Sequence, residues 1–293
     1  MANTQELITK AKDFNIANVS YKTPKLNKKG GKSMNISYSG KNLVLQFPLI
    51  MTWGVNEWDY DDGGGKKYDL NLQFSSPSSR TSSEVALFEA MQALQEKVLS
   101  DAVKNSKEWF GKAKMSREVA DALMYPILKY RKDKATQELD MNSNPTMKLK
   151  LPCWDGVFKV ELYNMQRAPL YLPKNATLDD GPEKVVGVVP SRSHIKGLME
   201  CNGVWMAGGK FGVTWKLVQA QVRPPVRIQG FCILDDSDDD EAVAAIEAHE
   251  TATAAVHAEF DKESSEEEEE EAPKPKKKKK KVVRKKKKVV AAN

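Results

Sequence analysis

The sequence predicts a mainly antiparallel β fold that carries a helical insertion and is followed by a disordered, block-charged tail. Three observations lead there. First, Cys201–Val222 reads CNGVWMAGGKFGVTWKLVQAQV, two apolar runs flanking Gly208-Gly209-Lys210, and the second run alternates: Phe211, Val213, Trp215 and Leu217 on one face, Thr214 and Lys216 on the other. A period of two marks a half-buried strand, and paired glycines between strands mark a tight hairpin, because glycine alone enters positive φ without steric cost. Second, strand-like runs recur on both sides of one stretch whose apolar residues are spaced at three and four. Third, the chain ends in long blocks of single-sign charge.

Taken in order, Ile16–Tyr21 and Ser33–Tyr38 read as short strands around a Lys/Gly linker. Asn42–Trp53 (NLVLQFPLIMTW) is a longer strand in which Pro48, lacking a ladder donor, marks an edge, a bulge or the end. Gly54–Lys67 (GVNEWDYDDGGGKK) reads as a mobile loop, and Tyr68–Phe74 as a strand. Thr81–Ser83 followed by Glu84 supplies an N-cap and an acidic first turn. From there Val85, Phe88, Met91, Leu94, Val98, Leu99, Ala102 and Val103 form a helical stripe to about Lys104. A second helix is expected from Arg117 to about Tyr130, capped by Ser116 and kinked at Pro126. Strands return at Thr146 (MKLKLP), Gly156–Tyr163 and Lys184–Pro190, with a hairpin turn at Cys153-Trp154-Asp155-Gly156. Tyr163–Pro173 is expected to leave the sheet, and Ser191–Gly197 to be a polar connector. This order, with helices between strands, fits a five-stranded OB-type barrel extended at its edges better than an α/β sheet.

The predicted boundaries are 1–234 for the body (helical insertion about 81–132), 235–271 for an acidic segment and 272–293 for a lysine-rich tail. Net charge is only +6, yet Glu266–Glu271 is an unbroken acidic run, and Lys274–Lys288 holds 12 lysines and arginines with no acid. Such blocks repel themselves and stay disordered; Ala242–Phe260, rich in alanine, could form at most a marginal helix. A basic body with a block-charged tail favours a polyanionic partner.

The three cysteines, Cys153, Cys201 and Cys232, form no CxxC pair, and His194 is the only histidine outside the tail, so neither a metal site nor a disulfide framework is expected. The N-terminus lacks a signal-like apolar stretch and no run is long enough to span a membrane, so the protein is not expected to be secreted or membrane-bound. The acids of Asp59–Asp62 and Asp179-Asp180 lie in loops without a visible third ligand, and His194 lacks a nucleophile motif. No catalytic residue, cofactor or enzymatic activity is expected.

Aromatics beside lysines on a sheet suit base stacking and phosphate neutralisation. The candidate stacking residues are Trp53, Trp58, Tyr60, Trp205, Phe211 and Trp215. The candidate phosphate contacts are Lys41, Lys66, Lys67, Lys159, Arg192, Lys196, Lys210 and Lys216. Alternation warns that Phe211 and Trp215 share a face and can be core together. The competing reading is an architectural or virion protein that condenses duplex DNA through the lysine tail. Self-association through a hairpin edge is a further expectation.

The segments LVLQFPLIMTWGVNEW, SSEVALFEAMQALQEKV and CNGVWMAGGKFGVTWKLVQAQV together resemble the single-stranded-DNA-binding proteins of nucleocytoplasmic large DNA viruses, in particular those of algal and giant-amoeba viruses. The resemblance spans about Ile16 to Ile233. It implies an OB-fold core and single-stranded DNA bound with little sequence preference. It also implies a role in viral replication, recombination or repair, in the host nucleus or a viral replication compartment. Related phage proteins carry an acidic C-terminal tail that competes for the DNA site and contacts replication partners. The acidic segment here is similar in kind but is followed by a lysine block, a departure from that pattern.

Overall fold

The computed structural model describes residues 4–27, 30–59, 65–175, 182–228, 230–234 and 241–250. The chain divides into two units, Met1–Arg227 and Ile228–Asn293. In the second unit Ile228, Phe231, Ile233 and Leu234 are exposed, and residues 241–250 are helical. The remainder of the predicted acidic and lysine-rich segments lies outside the described residues.

Five long strands organise the first unit: β1 (Val44–Asp59), β2 (Lys66–Gln73), β3 (Thr146–Leu151), β4 (Ser193–Ala207) and β5 (Lys210–Arg223). β1 pairs antiparallel with β2, β2 with β3, β4 with β5, and β4 with β1, while β3 runs parallel to β5. The pairing order therefore closes on itself, β1–β2–β3–β5–β4–β1. Shorter strands extend it at the edges, making a mainly β structure with a few helices. The ring is filled by alternate side chains. Leu45, Phe47, Leu70, Leu72, Met147, Leu149, Met199, Trp215 and Leu217 are all at most 2 % exposed. The hairpin turn Gly208-Gly209 has positive φ at both positions, as expected, and the first of the strands it joins begins well before Cys201, at Ser193, while the second ends at Arg223.

α1 (Ser82–Lys104) starts where its cap predicts, the Thr81 hydroxyl accepting from the Glu84 amide at 3.2 Å. It buries Leu87, Ala90, Met91, Leu94, Val98, Leu99 and Ala102, one stripe turned toward the core. A short α2 (Ser106–Phe110) follows.

Of the alternatives for Pro48 the bulge is the one seen: the register passes from Phe47–Gly197 to Ile50–Ile195, so Pro48 and Leu49 bulge opposite Lys196, where a missing N–H does no harm. Several other expectations give way to longer-range packing. The supposed loop at Gly54–Lys67 is strand over 54–59 and 66–67, since β1 and β2 continue pairing out to Asp59–Lys66. The second helix, α3 (Arg117–Leu123), stops instead of kinking. Pro126 drives the preceding residue out of helical conformation, and Met124–Tyr125 pair instead with Phe211–Gly212 of β5. The valine-rich Lys184–Pro190 is not a strand but the helix α4 (Pro182–Val188), which buries Val185 and, just beyond its end, Val189. Here packing overrides β-branched propensity. Tyr163–Pro173 does not leave the sheet, because Pro169–Tyr171 returns as an edge strand on Glu161–Tyr163. Ser193–Gly197 belongs to β4 rather than to a connector, and Ile16–Asn18 is a 3-10 turn ahead of the strand Val19–Tyr21.

Candidate nucleic-acid interface

Along β3, Met147, Leu149 and Leu151 face the core, so Lys148 and Lys150 stand on the outer face of the ring. The registers Lys150–Asp69 and Lys150–Lys216 extend that face onto β2 and β5. A groove of about 390 Å³ lies there, and its walls include Lys66, Lys67, Lys150, Lys159 and Lys216, with Glu200 the carboxylate among its lining residues. Trp154 also lines it. Its ring is 65 % exposed because it sits at the tip of the short hairpin Cys153–Trp154/Val157–Phe158, and the Lys159 ammonium lies 5.9 Å from the ring centre. Trp58, 48 % exposed, stands opposite Lys67 on the β1–β2 ladder with the Lys148 ammonium 5.5 Å from its ring centre.

A second hollow, about 180 Å³, shares Lys150 with the groove and is bounded by Lys148, Lys129, Thr214, Tyr125 and Trp205. Gly212 makes it. Gly212 is paired with Trp205 on one side and with Tyr125 on the other, and a Cβ there would meet Tyr125 Cβ at 3.0 Å and the Trp205 ring at 3.1 Å. The absent side chain lets the two rings approach, with centroids 6.2 Å apart. Tyr125 is half-exposed because α3 ends early.

The lysines differ in availability. Lys148 binds the Asp69 carboxylate at 2.7 Å, and Asp69, itself 6 % exposed, also accepts from Asn56 at 3.0 Å. Lys216 pairs with Glu200 at 3.0 Å, and Lys66 pairs with Glu57. Lys150 and Lys159 have no ion pair among the described residues. Lys150 is exposed as a residue, yet its ammonium is held below the ordinary lysine value. Desolvation is the first cause and repulsion by Lys148 the next; Lys67 adds to this while Asp69 opposes it. A cation crowded by cations is stabilised by an arriving anion. Burial pushes the Cys153 thiol of the groove upward, so it is held protonated rather than as a nucleophile.

The structure thus brings together Trp58, Lys66, Lys67, Lys159, Lys216 and Trp205 of the predicted residues. Lys210 is exposed at the β4–β5 tip, next to the turn. Trp53 is exposed but tied to Gln73 (Nε1 to Oε1, 3.0 Å), at the opposite end of β2 from Lys67. Lys41 lies in a separate small sheet with Ile36–Tyr38. Arg192 sits at positive φ just before β4, its amide bonded to the Thr52 carbonyl, and Lys196 lines a different pocket. Tyr60 lies outside the described residues. Phe211 is a correction: at 0 % exposure, packed on Phe110 at 5.2 Å, it is core and presents no face for a base. Trp215 is core for the same reason. Sequence reasoning does not single out Lys148, Lys150, Lys129, Tyr125 or Trp154. The alternation of TMKLKL already places the first two outward, whereas Tyr125 and Trp154 gain their positions only from the turns around them.

Among the described residues no group of three or more His, Cys, Asp or Glu is placed to hold a metal ion, and no helix is long and apolar enough to cross a membrane. No family model matches the chain, and no curated protein matches it. Solved structures do. The single-stranded DNA-binding protein from bacteriophage Enc34 in complex with ssDNA aligns over 71 % of this chain and 98 % of its own, with TM-score 0.37 and 11 % identity. A C-terminal truncation of it covers 70 % and 95 % (TM-score 0.36, 10 % identity). A third structure of the same protein covers 75 % and 98 % (TM-score 0.33, 12 % identity). Likeness this low carries no weight for function, which has to be read from the groove.

Proposed function

We propose that the first unit is an OB-type barrel that binds single-stranded DNA, with little regard to sequence, along the outer face of β2, β3 and β5. One observation carries this: a lysine-lined groove runs into an aromatic slot through a shared residue, Lys150. Lysines spaced along a channel neutralise a backbone, and exposed rings beside it stack bases of any identity. The protein acts without catalysis in DNA replication, recombination or repair of a large DNA virus. The acidic segment modulates DNA or partner binding, competing with DNA and recruiting replication proteins.

The test is binding of Met1–Leu234 and of the full chain to labelled oligo-dT and to a duplex of equal length across a salt series. The body is expected to prefer oligo-dT. Trp58→Ala and Trp205→Ala should each weaken it by about 1–3 kcal/mol, the range for one stacked base. Loss of all binding on removing residues 235–293, or equal binding of both oligonucleotides, would overturn the proposal in favour of duplex condensation by the lysine tail.

A further inference from the structure

Beyond the groove, the outer face of the β4–β5 hairpin continues past Lys216 to a second pocket of about 380 Å³ that the groove does not use. Its lining includes Gly197 and Ala220, together with the two cations Arg167 and Lys196. Neither cation has an ion pair among the described residues. Arg167 is presented by a tight turn that Asn164 fixes, its Oδ1 accepting from the amides of Gln166 and Ala168 at 3.0 and 2.8 Å.

The walls include Gln219 and Gln221, and their amides are oriented by groups that can only accept. Gln219 Nε2 donates to Glu161 Oε2 at 2.8 Å, and Gln221 Nε2 donates to the carbonyl oxygen of Asn164 at 3.2 Å. Glu161, the neighbouring carboxylate, is further occupied by the Tyr163 hydroxyl at 2.8 Å. Because each Nε2 is turned toward an acceptor, the orientation of both amides is fixed and their carbonyl oxygens are left to offer. The pocket therefore pairs fixed acceptors with unpaired cations. That combination suits a nucleotide, whose base edge donates and whose phosphate is anionic.

We infer that this pocket is a second subsite for the same single strand, taking a nucleotide by hydrogen bonding and charge rather than by stacking. The inference rests on the groove as the strand's primary path. Gln221 lies five residues beyond Lys216 on β5, about 17 Å at ~3.3 Å per residue, so only a strand long enough to leave the groove reaches it. Adenine and cytosine carry exocyclic amines, whereas the thymine edge presents a carbonyl at the corresponding place, so the subsite favours amine-bearing bases.

The experiment uses the full chain and a length series of labelled oligo-dT. Wild type is compared with Arg167→Asn/Lys196→Gln, in which asparagine tolerates the positive φ of the turn. Short oligomers should bind both proteins equally. Beyond a threshold length wild type should gain affinity and the variant should not, and the salt slope for long oligomers should fall by about 1.4, roughly 0.7 for each lost phosphate contact. Extending short oligo-dT with dC should raise wild-type affinity more than extending it with dT. Equal losses at every length, no loss at any length, or no dC advantage would each overturn the subsite. Failure of wild type to bind short oligomers would instead sink the groove reading, and the subsite with it.

Discussion

Replacing Lys150 and Lys159 together with alanine lowers affinity for single-stranded DNA on the order of 100-fold on every base sequence, taking about 1.5 kcal/mol per charged contact. The slope of log affinity against log salt falls by about 1.4. These two are the informative pair because neither has an ion pair with a carboxylate among the described residues. Lys148→Ala is a poor probe, since it strips the partner from the buried Asp69 carboxylate and destabilises the sheet itself. A pH series adds a second readout. The Lys150 ammonium is held below its ordinary value in the free protein, and a bound phosphate raises it again, so binding takes up a proton. Affinity is therefore full below the free-state value and declines as pH rises from there toward the bound-state value. Lys150→Arg, which stays charged, should flatten that decline. An unchanged salt slope in the double variant would refute the groove as the path of the strand.

Gly203→Ala is expected to have the largest effect on stability. Gly203 has φ of +100° and follows the bulge at Asn202, where β4 turns toward the strand Lys32–Met34. A Cβ there would sit 2.0 Å from the Met34 carbonyl oxygen and 2.8 Å from Asn35 Cα, both backbone atoms. Strained φ and a backbone clash together cost about 3 kcal/mol or more, which for a unit of this size lowers the melting temperature on the order of 10 °C. Gly209→Ala is the control. It also has positive φ but nothing within 4 Å, so about 1–2 kcal/mol is expected. Equal melting temperatures for the two variants would show that the close approach at Gly203 is not what limits stability.

The sequence was most legible where structure is local. The Gly208-Gly209 turn, the Thr81 cap and the stripe of α1 each depend on a few adjacent residues. It was least legible where a distant partner decides. The valines of α4 read as strand until their burial is known, and nothing near Tyr125 shows that Gly212 lies beside it. The groove fell between these cases. Its lysines on β3 were legible as the polar half of an alternation, but their union with Lys216, Lys159 and Trp154 depends on β3 lying parallel to β5, a pairing across more than sixty residues.

That pairing has a mechanical consequence. Only Leu149–Trp215 and Lys150–Lys216 join β3 to β5, the shortest ladder in the ring, and the groove straddles it. A polyanion held by Lys150 on one side and Lys216 on the other would act as an external clasp across the ring's weakest closure. Load on the nucleic acid would then be borne at the place where the protein has least hydrogen bonding of its own.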